Sequence, residues 1–375
     1  MDNLTHALVG AAIAKAGAER STPLATATLV IAANAPDIDV LSYARGEYFA
    51  LAFRRGITHG WPAIVLLPVL ITGMILGWDR LIRRRRNPTA RPARAGPVFA
   101  LSFVGVLTHP TLDWMNTYGM RWALPFDGSW SYGDALFIVD PWIWLALGGA
   151  VFLASNVSRV GQAGWAALAA LTSVVVLLGV GPSAALPWLM GLSGILALRL
   201  RLGSDTSQAR TRGVRITGVA VLVYVAVMLG ADTLASAEVR RVAADLAVGV
   251  EDVMVAPVRG NPFSSAIEIR TATAYVPGTH NWLNTPRVRL NLDSSIPLFA
   301  IAEDVPEEVG RRVAGIARTR TSVQNYLTWS RYPHVRVAAD PDGWTVRFSD
   351  ARYDDERGAG GLAGVTVHIS RTDIQ

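Results

Sequence analysis

Long uncharged apolar runs constrain this chain most, because a run of about 20 such residues is built to cross a bilayer rather than to fold in water. The runs gather before about residue 236 and cover 61–78, 136–155, 163–181, 185–198 and 216–231. A shorter one covers 97–108, and the Ala-rich stretches 5–18 and 24–35 read as two arms of a helical hairpin. Of the 375 residues, 51% are apolar and only 17% charged. Soluble domains carry about a quarter charged residues, so an ordinary soluble enzyme is excluded, and so is a disordered chain.

The formal net charge is +6. Its arginines sit in short loops between apolar runs, which is the pattern of membrane orientation and not of a nucleic-acid face. Residues 79–96 carry Arg80, Arg83, Arg84, Arg85, Arg86, Arg91 and Arg94, and 199–215 carry Arg199, Arg201, Arg210, Arg212 and Arg215. Both loops are expected on the cytoplasmic side. Eight crossings threaded through these anchors put 34–60, 108–134 and everything after about 235 on the other side. The N-terminal stretch lacks a basic n-region, so no cleaved signal peptide is expected.

The expected fold is therefore mainly α: a polytopic transmembrane bundle of about eight membrane helices over 1–236, followed by a small C-terminal β-rich soluble domain over 237–375. In that tail, 266–275, 287–292, 334–338, 344–348 and 365–369 alternate apolar and polar residues at period two, while 306–318 reads as one helix.

With no cysteine in the chain, any metal must be held by His, Asp or Glu. Four short clusters offer such ligands: Thr5-His6, Pro36-Asp37-Ile38-Asp39, Thr58-His59-Gly60 and Thr108-His109-Pro110-Thr111-Leu112-Asp113. In the threading, His6, Asp37, Asp39, His59, His109 and Asp113 all fall at the outer ends of their helices. Charges near hydrocarbon are costly unless they bind something, and a single interfacial His or a capping Asp does not account for four clusters at one depth. Six ligands suit two divalent ions sharing a carboxylate, able to activate a water. His109 and Asp113 share a helical face if the helix survives Pro110, where a kink or restart is expected.

Taken in order, MDNLTHALVGAAIA, NAPDID, RRGITHG, THPTLDWMNTYG and YGDALFIVDPWIWL resemble the YdjM-like family of bacterial inner-membrane, metal-dependent hydrolases over about residues 1–145. The resemblance implies a multi-pass inner-membrane location and a β-rich tail of the same protein type, with VAPVRGNPF at 255–263. The ligand order His, Asp, His, His-x-x-x-Asp is further similar to the zinc-dependent phospholipase C and P1 nuclease group. That likeness implies a bridging Asp113, one ion on Asp37, His59 and His109, and a second that His6 helps hold. Two departures stand out: Arg54 occupies the place where relatives carry His, and Gly60 replaces the Ser that ends the motif.

Arg54 and Arg55 can clamp a phosphate or carboxylate, or anchor to the membrane surface. Asp134 and Asp140 flank an apolar run; Asp140 reads equally as a cap before Pro141 or as an outer ligand or proton shuttle. His280, His334 and His368 lie in the tail without acidic partners at ligand spacing and read as surface or packing residues. No Gly-x-Ser-x-Gly, Walker-type or dinucleotide motif is present.

The sequence thus leads to a membrane-bound metal-dependent hydrolase with two zinc ions, or manganese or magnesium, at the outer membrane–water boundary. Asp39 or Asp37 takes a proton, Arg55 stabilises an anionic transition state, and a lipid phosphoester is the substrate. The bilayer is the partner expected, and nucleic acid is not. A metal-binding structural or partner-docking membrane protein is the alternative; a transporter, hinted at by Asp140, is a third.

Overall fold

The computed structural model describes residues 1–374 apart from 157, 181, 202–206, 354–361 and 363. The chain forms two compact units. One comprises Met1–Ile38, Arg55–Asp232 and Ala256–Pro262; the other comprises Asp39–Arg54, Thr233–Val255 and Phe263–Gln375.

The first unit opens with α1 (Asn3–Lys15) and α2 (Ala25–Asn34). Asp2 caps α1, its carboxylate accepting from the amide and hydroxyl of Thr5. A 3-10 stretch (Ala35–Arg45) follows and leads into α3 (Glu47–Phe53), which belongs to the second unit; the first resumes with α4 (Trp61–Trp78), a π turn, and α5 (Arg84–Arg86). Next come α6 (Ala95–Trp114), α7 (Pro141–Ala154), α8 (Arg159–Gly179), α9 (Pro182–Arg201) and α10 (Ser207–Asp245).

Among the described residues, four helical stretches are long and apolar enough to cross a membrane: Trp61–Arg86, Ala95–Trp114, Arg159–Gly179 and Gln208–Asp245. Of the remaining expected crossings, α7 is apolar but only 14 residues long, and α1 and α2 have 13 and 10. α7 starts five residues later than the apolar run because Asp140 caps it, accepting from the amides of Trp142 and Ile143 with Pro141 at the first helical position. The second oxygen of Asp140 accepts from the Tyr224 hydroxyl of α10 at 2.8 Å.

The short run at 97–108 becomes a 20-residue helix that runs unbroken through Pro110, where a kink or restart was expected. Pro110 forfeits one backbone hydrogen bond, and the burial of the apolar Val98, Val106 and Pro110 offsets that loss. α2 lies against both α1 and α6 at glycines. A Cβ on Gly10 would sit 2.8 Å from the Leu29 carbonyl oxygen, and one on Gly105 would sit 2.6 Å from the Ala32 Cβ. Only glycine permits such backbone approach.

In the second unit, β1 (Asp252–Val258), β2 (Asn261–Arg270), β3 (Ala274–Asn281), β4 (Val288–Leu290) and β5 (Ile296–Pro297) form one sheet. Its order is β1-β2-β3-β4, with β5 also on β3. The single strand expected at 266–275 is instead two. The Thr271 hydroxyl accepts from the Ala274 amide and turns the chain, so that Ile269 opposes Val276. The end of α10 packs Ala235, Val239 and Ala243, one turn apart, onto Val255, Ile267, Ile269 and Val276. A second sheet orders β6 (Phe299–Ile301), β7 (Pro333–Asp340), β8 (Gly343–Asp350) and β9 (Val365–Ser370). The helix expected at 306–318 is α11 (Glu307–Arg318), and an unexpected α12 (Thr321–Trp329) follows, burying Val323, Tyr326 and Trp329.

Glu268 on β2 is buried, and its Oε1 has no hydrogen-bond partner among the described residues. Burial and the nearby Asp350 carboxylate push its carboxyl up to about 8, against the opposing pull of Arg352. An unfolded chain ionises this group near 4.5. The fold's preference for the protonated form is therefore fully present below that value and is lost as pH rises through about 8. Thermal melts of the full chain in detergent should show Glu268→Gln gaining a few kcal/mol over wild type at pH 9 and little at pH 4. Equal gains at both pH values would refute this assignment.

Candidate metal centre

The helix that survives Pro110 places His109 and Asp113 one turn apart on the buried face of α6. α2 ends beside them, so the Ala33 carbonyl meets His109 Nδ1 at 2.6 Å, and the following 3-10 stretch delivers Asp37. His59 comes from the turn before α4. Gly60, next to it, approaches the backbone of Trp122: a Cβ there would lie 2.9 Å from that carbonyl oxygen. A serine at 60 would collide, which accounts for this departure from the motif.

Asp37, His59, His109 and Asp113 form a group that can hold a metal ion, with one ligand atom from each lying within 4.8 Å of the others. His59 Nε2 is 3.1 Å from His109 Nε2, 3.4 Å from Asp113 Oδ2 and 3.7 Å from Asp37 Oδ1. His109 Nε2 is 3.7 Å from Asp37 Oδ1 and 3.6 Å from Asp113 Oδ2. Four ligands at about 2.0–2.1 Å around a tetrahedral ion stand about 3.3–3.4 Å apart. The spacing fits.

The protonation logic points the same way. A carbonyl oxygen only accepts, so His109 carries its proton on Nδ1 and turns a lone pair out from Nε2. That lone pair faces His59 Nε2 and two carboxylates. One proton on His59 Nε2 can satisfy one of these contacts and leaves the rest repelling, whereas a cation satisfies them together. Such an ordered outer contact is what fixes a ligating imidazole. Thr58 Oγ1 stands 3.0 Å from His59 Nδ1, and Asn3 Nδ2 donates to Asp37 Oδ2 at 2.9 Å. Burial raises the Asp37 carboxyl, but the imidazoles of His59 and His109 outweigh it and hold the group well below the usual range.

His6 approaches the other oxygen of the same carboxylate, with Nε2 3.2 Å from Asp113 Oδ1, and its ring stacks on His109 at 3.7 Å between centroids. The Met1 amino group also meets Asp113 Oδ1. Arg55 takes φ 52°, the left-handed region, and its guanidinium turns inward. Nε reaches Asp113 Oδ2 at 3.0 Å, Nη1 reaches Asn116 Oδ1 at 2.8 Å, and the plane covers Tyr118.

The group of four does not include Asp39, which is buried and accepts from Arg54 Nε at 3.2 Å. Asp134 is buried with φ 45°. Asp140 serves as the α7 cap described above. In the tail, His280 is buried beside Glu238, 3.3 Å away, a partner that residue spacing did not disclose because 42 residues separate them. His334 is buried, and the half-exposed His368 stands 3.2 Å from Asp342. Sequence reading also missed Asn116 as the partner of Arg55, although it closes the quoted THPTLDWMN stretch, and the Ala33 carbonyl, which leaves no trace in residue type.

A helical protein with apolar spans and an inward-facing cluster of imidazoles and carboxylates is a membrane protein with a candidate metal centre. Residues 1–184 match the model of the YdjM inner membrane protein family. No curated protein and no solved structure matches.

Removing the Arg55 side chain leaves Asp113 Oδ2 without its guanidinium in the interior. Arg55→Leu should lower stability by about 3–5 kcal/mol in detergent melts, with Arg55→Lys recovering part of it. A melt unchanged in Arg55→Leu would show that this ion pair does not carry the site.

Proposed function

We propose that the chain is a hydrolase of the bacterial inner membrane, acting on a lipid phosphoester through a dinuclear zinc centre, with manganese or magnesium as the alternative ions. The observation that supports this reading is the meeting of two imidazole lone pairs and two carboxylates at near-tetrahedral separations. Asp37, His59, His109 and Asp113 hold the first ion, and His6 shares Asp113 toward the second. A divalent ion at this position supplies an activated water and charge stabilisation for a displacement.

The chain's own residues divide the remaining work. Ala33 fixes the tautomer and direction of His109. Arg55 positions Asp113, because its donors already reach Asp113 and Asn116. Asp37 is the most accessible of the four, at 13% against 1% or less, and is the ligand that water reaches most readily. Because His109 and Asp113 stand at the end of a span, a substrate whose scissile bond lies at headgroup depth suits them.

Four protein ligands at these separations also favour a second reading, in which a closed, structural site holds a metal without turnover. Metal analysis and a phosphoester-lipid screen on detergent-purified protein separate the two. The hydrolase reading expects one or two zinc ions per chain and chelator-sensitive hydrolysis. His109→Ala should lose both metal and at least about a hundredfold in rate while keeping its circular dichroism. Full occupancy with no turnover across the panel would establish the structural reading instead.

Eight crossings, with the centre and the C-terminal region on the extracytoplasmic side, complete the proposal. The chain has no native cysteine, so single cysteines report directly. Phe126 is 88% exposed in the loop between α6 and α7, and Asn87 lies in the arginine-rich loop. Phe126→Cys should react with an impermeant maleimide on intact spheroplasts and Asn87→Cys only after lysis; the reverse pattern would invert the topology.

A further inference from the structure

Away from the metal group, α1, α7, α8 and α9 enclose a cavity of about 720 Å³. Leu8, Trp144, Trp165, Ala169, Leu192 and Leu196 line it, so its wall is hydrocarbon and indole. Gly148 leaves the wall open, since a Cβ there would meet nothing nearer than Leu8 at 3.8 Å. From Trp144 to Phe152 the wall follows α7 for about 12 Å of helix rise. The result is a slot with the dimensions of an acyl chain.

One end of the slot is polar. Arg199 near the end of α9 and Gln162 near the start of α8 both line it. The Arg199 guanidinium lies 5.2 Å from the centroid of Phe152, and Nη1 donates to the Leu153 carbonyl at 3.3 Å. No carboxylate among the described residues pairs with it. Held by a carbonyl and a ring and by no acid of the chain, the guanidinium keeps its charge free to meet an anion from outside. The α8 N-terminus, capped by Ser158, adds its positive helix end in the same region.

We propose that this slot binds one anionic membrane phospholipid, with an acyl chain lying along α7 and the phosphate group at Arg199. The slot is no more apolar than the bilayer a lipid leaves, so burying the chain gives little preference by itself. Selectivity must come from the headgroup charge at Arg199, as in basic pockets between membrane helices. The site stands whether or not the metal centre is an enzyme.

The test is native mass spectrometry on the delipidated full chain, titrated with phosphatidylglycerol or phosphatidylcholine of identical acyl chains. One phosphatidylglycerol per chain should be retained, with about fivefold preference over phosphatidylcholine. Arg199→Gln should bring the two lipids to near parity, and Arg199→Lys should keep the preference. Gly148→Leu, which fills the slot, should abolish retention of both. Glycerol phosphate alone should not bind. The proposal is overturned if wild type retains both lipids equally, if Arg199→Gln keeps the preference, or if glycerol phosphate competes as well as the lipid. A detergent-stable dimer that excludes lipid from the slot would overturn it as well. Should Arg199→Gln fail to fold, the Arg199→Lys and Gly148→Leu pair still decides the question.

Discussion

A carboxylate at the end of a helix long and apolar enough to cross a membrane governs how the first unit is built. Asp113 is 1% exposed, and a buried charge of that kind persists only where positive or proton-donating groups surround it. Arg55 supplies a guanidinium on one oxygen, while His6 and the Met1 amino group meet the other. His59 and His109 close the remaining side. These five partners come from three segments, so the demand of one side chain draws together the N-terminal segment with α1, the turn before α4, and α6. The left-handed backbone at Arg55 belongs to the same demand, since that turn sends the guanidinium inward instead of to water.

The helices make this possible by approaching closely. Gly10 and Gly105 let the backbone of α2 settle between α1 and α6, near enough for a main-chain carbonyl to reach an imidazole. Close approach multiplies van der Waals contact along both helices, so small residues at the crossing are the economical solution. Local packing and site chemistry are thus set by the same residues.

Much of this could be read from the chain. Uncharged runs marked α4, α6, α8, α9 and α10, because nothing but a helix satisfies its backbone inside a bilayer. Asp37, His59, His109 and Asp113 stood out because ionisable groups beside apolar runs need a reason to be there. Other features were hidden for physical reasons. Backbone acceptors such as Ala33 have no residue signature, and Asn116 looks like any loop asparagine until Arg55 turns toward it. The break at Thr271 depends on a hydroxyl folding back on its own amides, which alternation of apolar residues cannot reveal. α12 has nine residues, too few for a helical period to stand above the noise of composition. The link between Glu238 and His280 joins a helix to a strand over a distance no spacing rule covers.

The contact between Asp140 and Tyr224 has a geometric consequence. An apolar helix in lipid can spin about its long axis with little change in energy, since every side offers the same greasy surface. One Asp140 oxygen is committed to the amides that start α7, so the other presents a fixed acceptor in space. The Tyr224 hydroxyl has to find it, at 2.8 Å. That phenol adds a directional pin to the azimuth of α10, agreeing with the face on which Val214, Val225 and Met228 are already buried, and so holds that helix's many interchangeable aliphatic side chains from trading places.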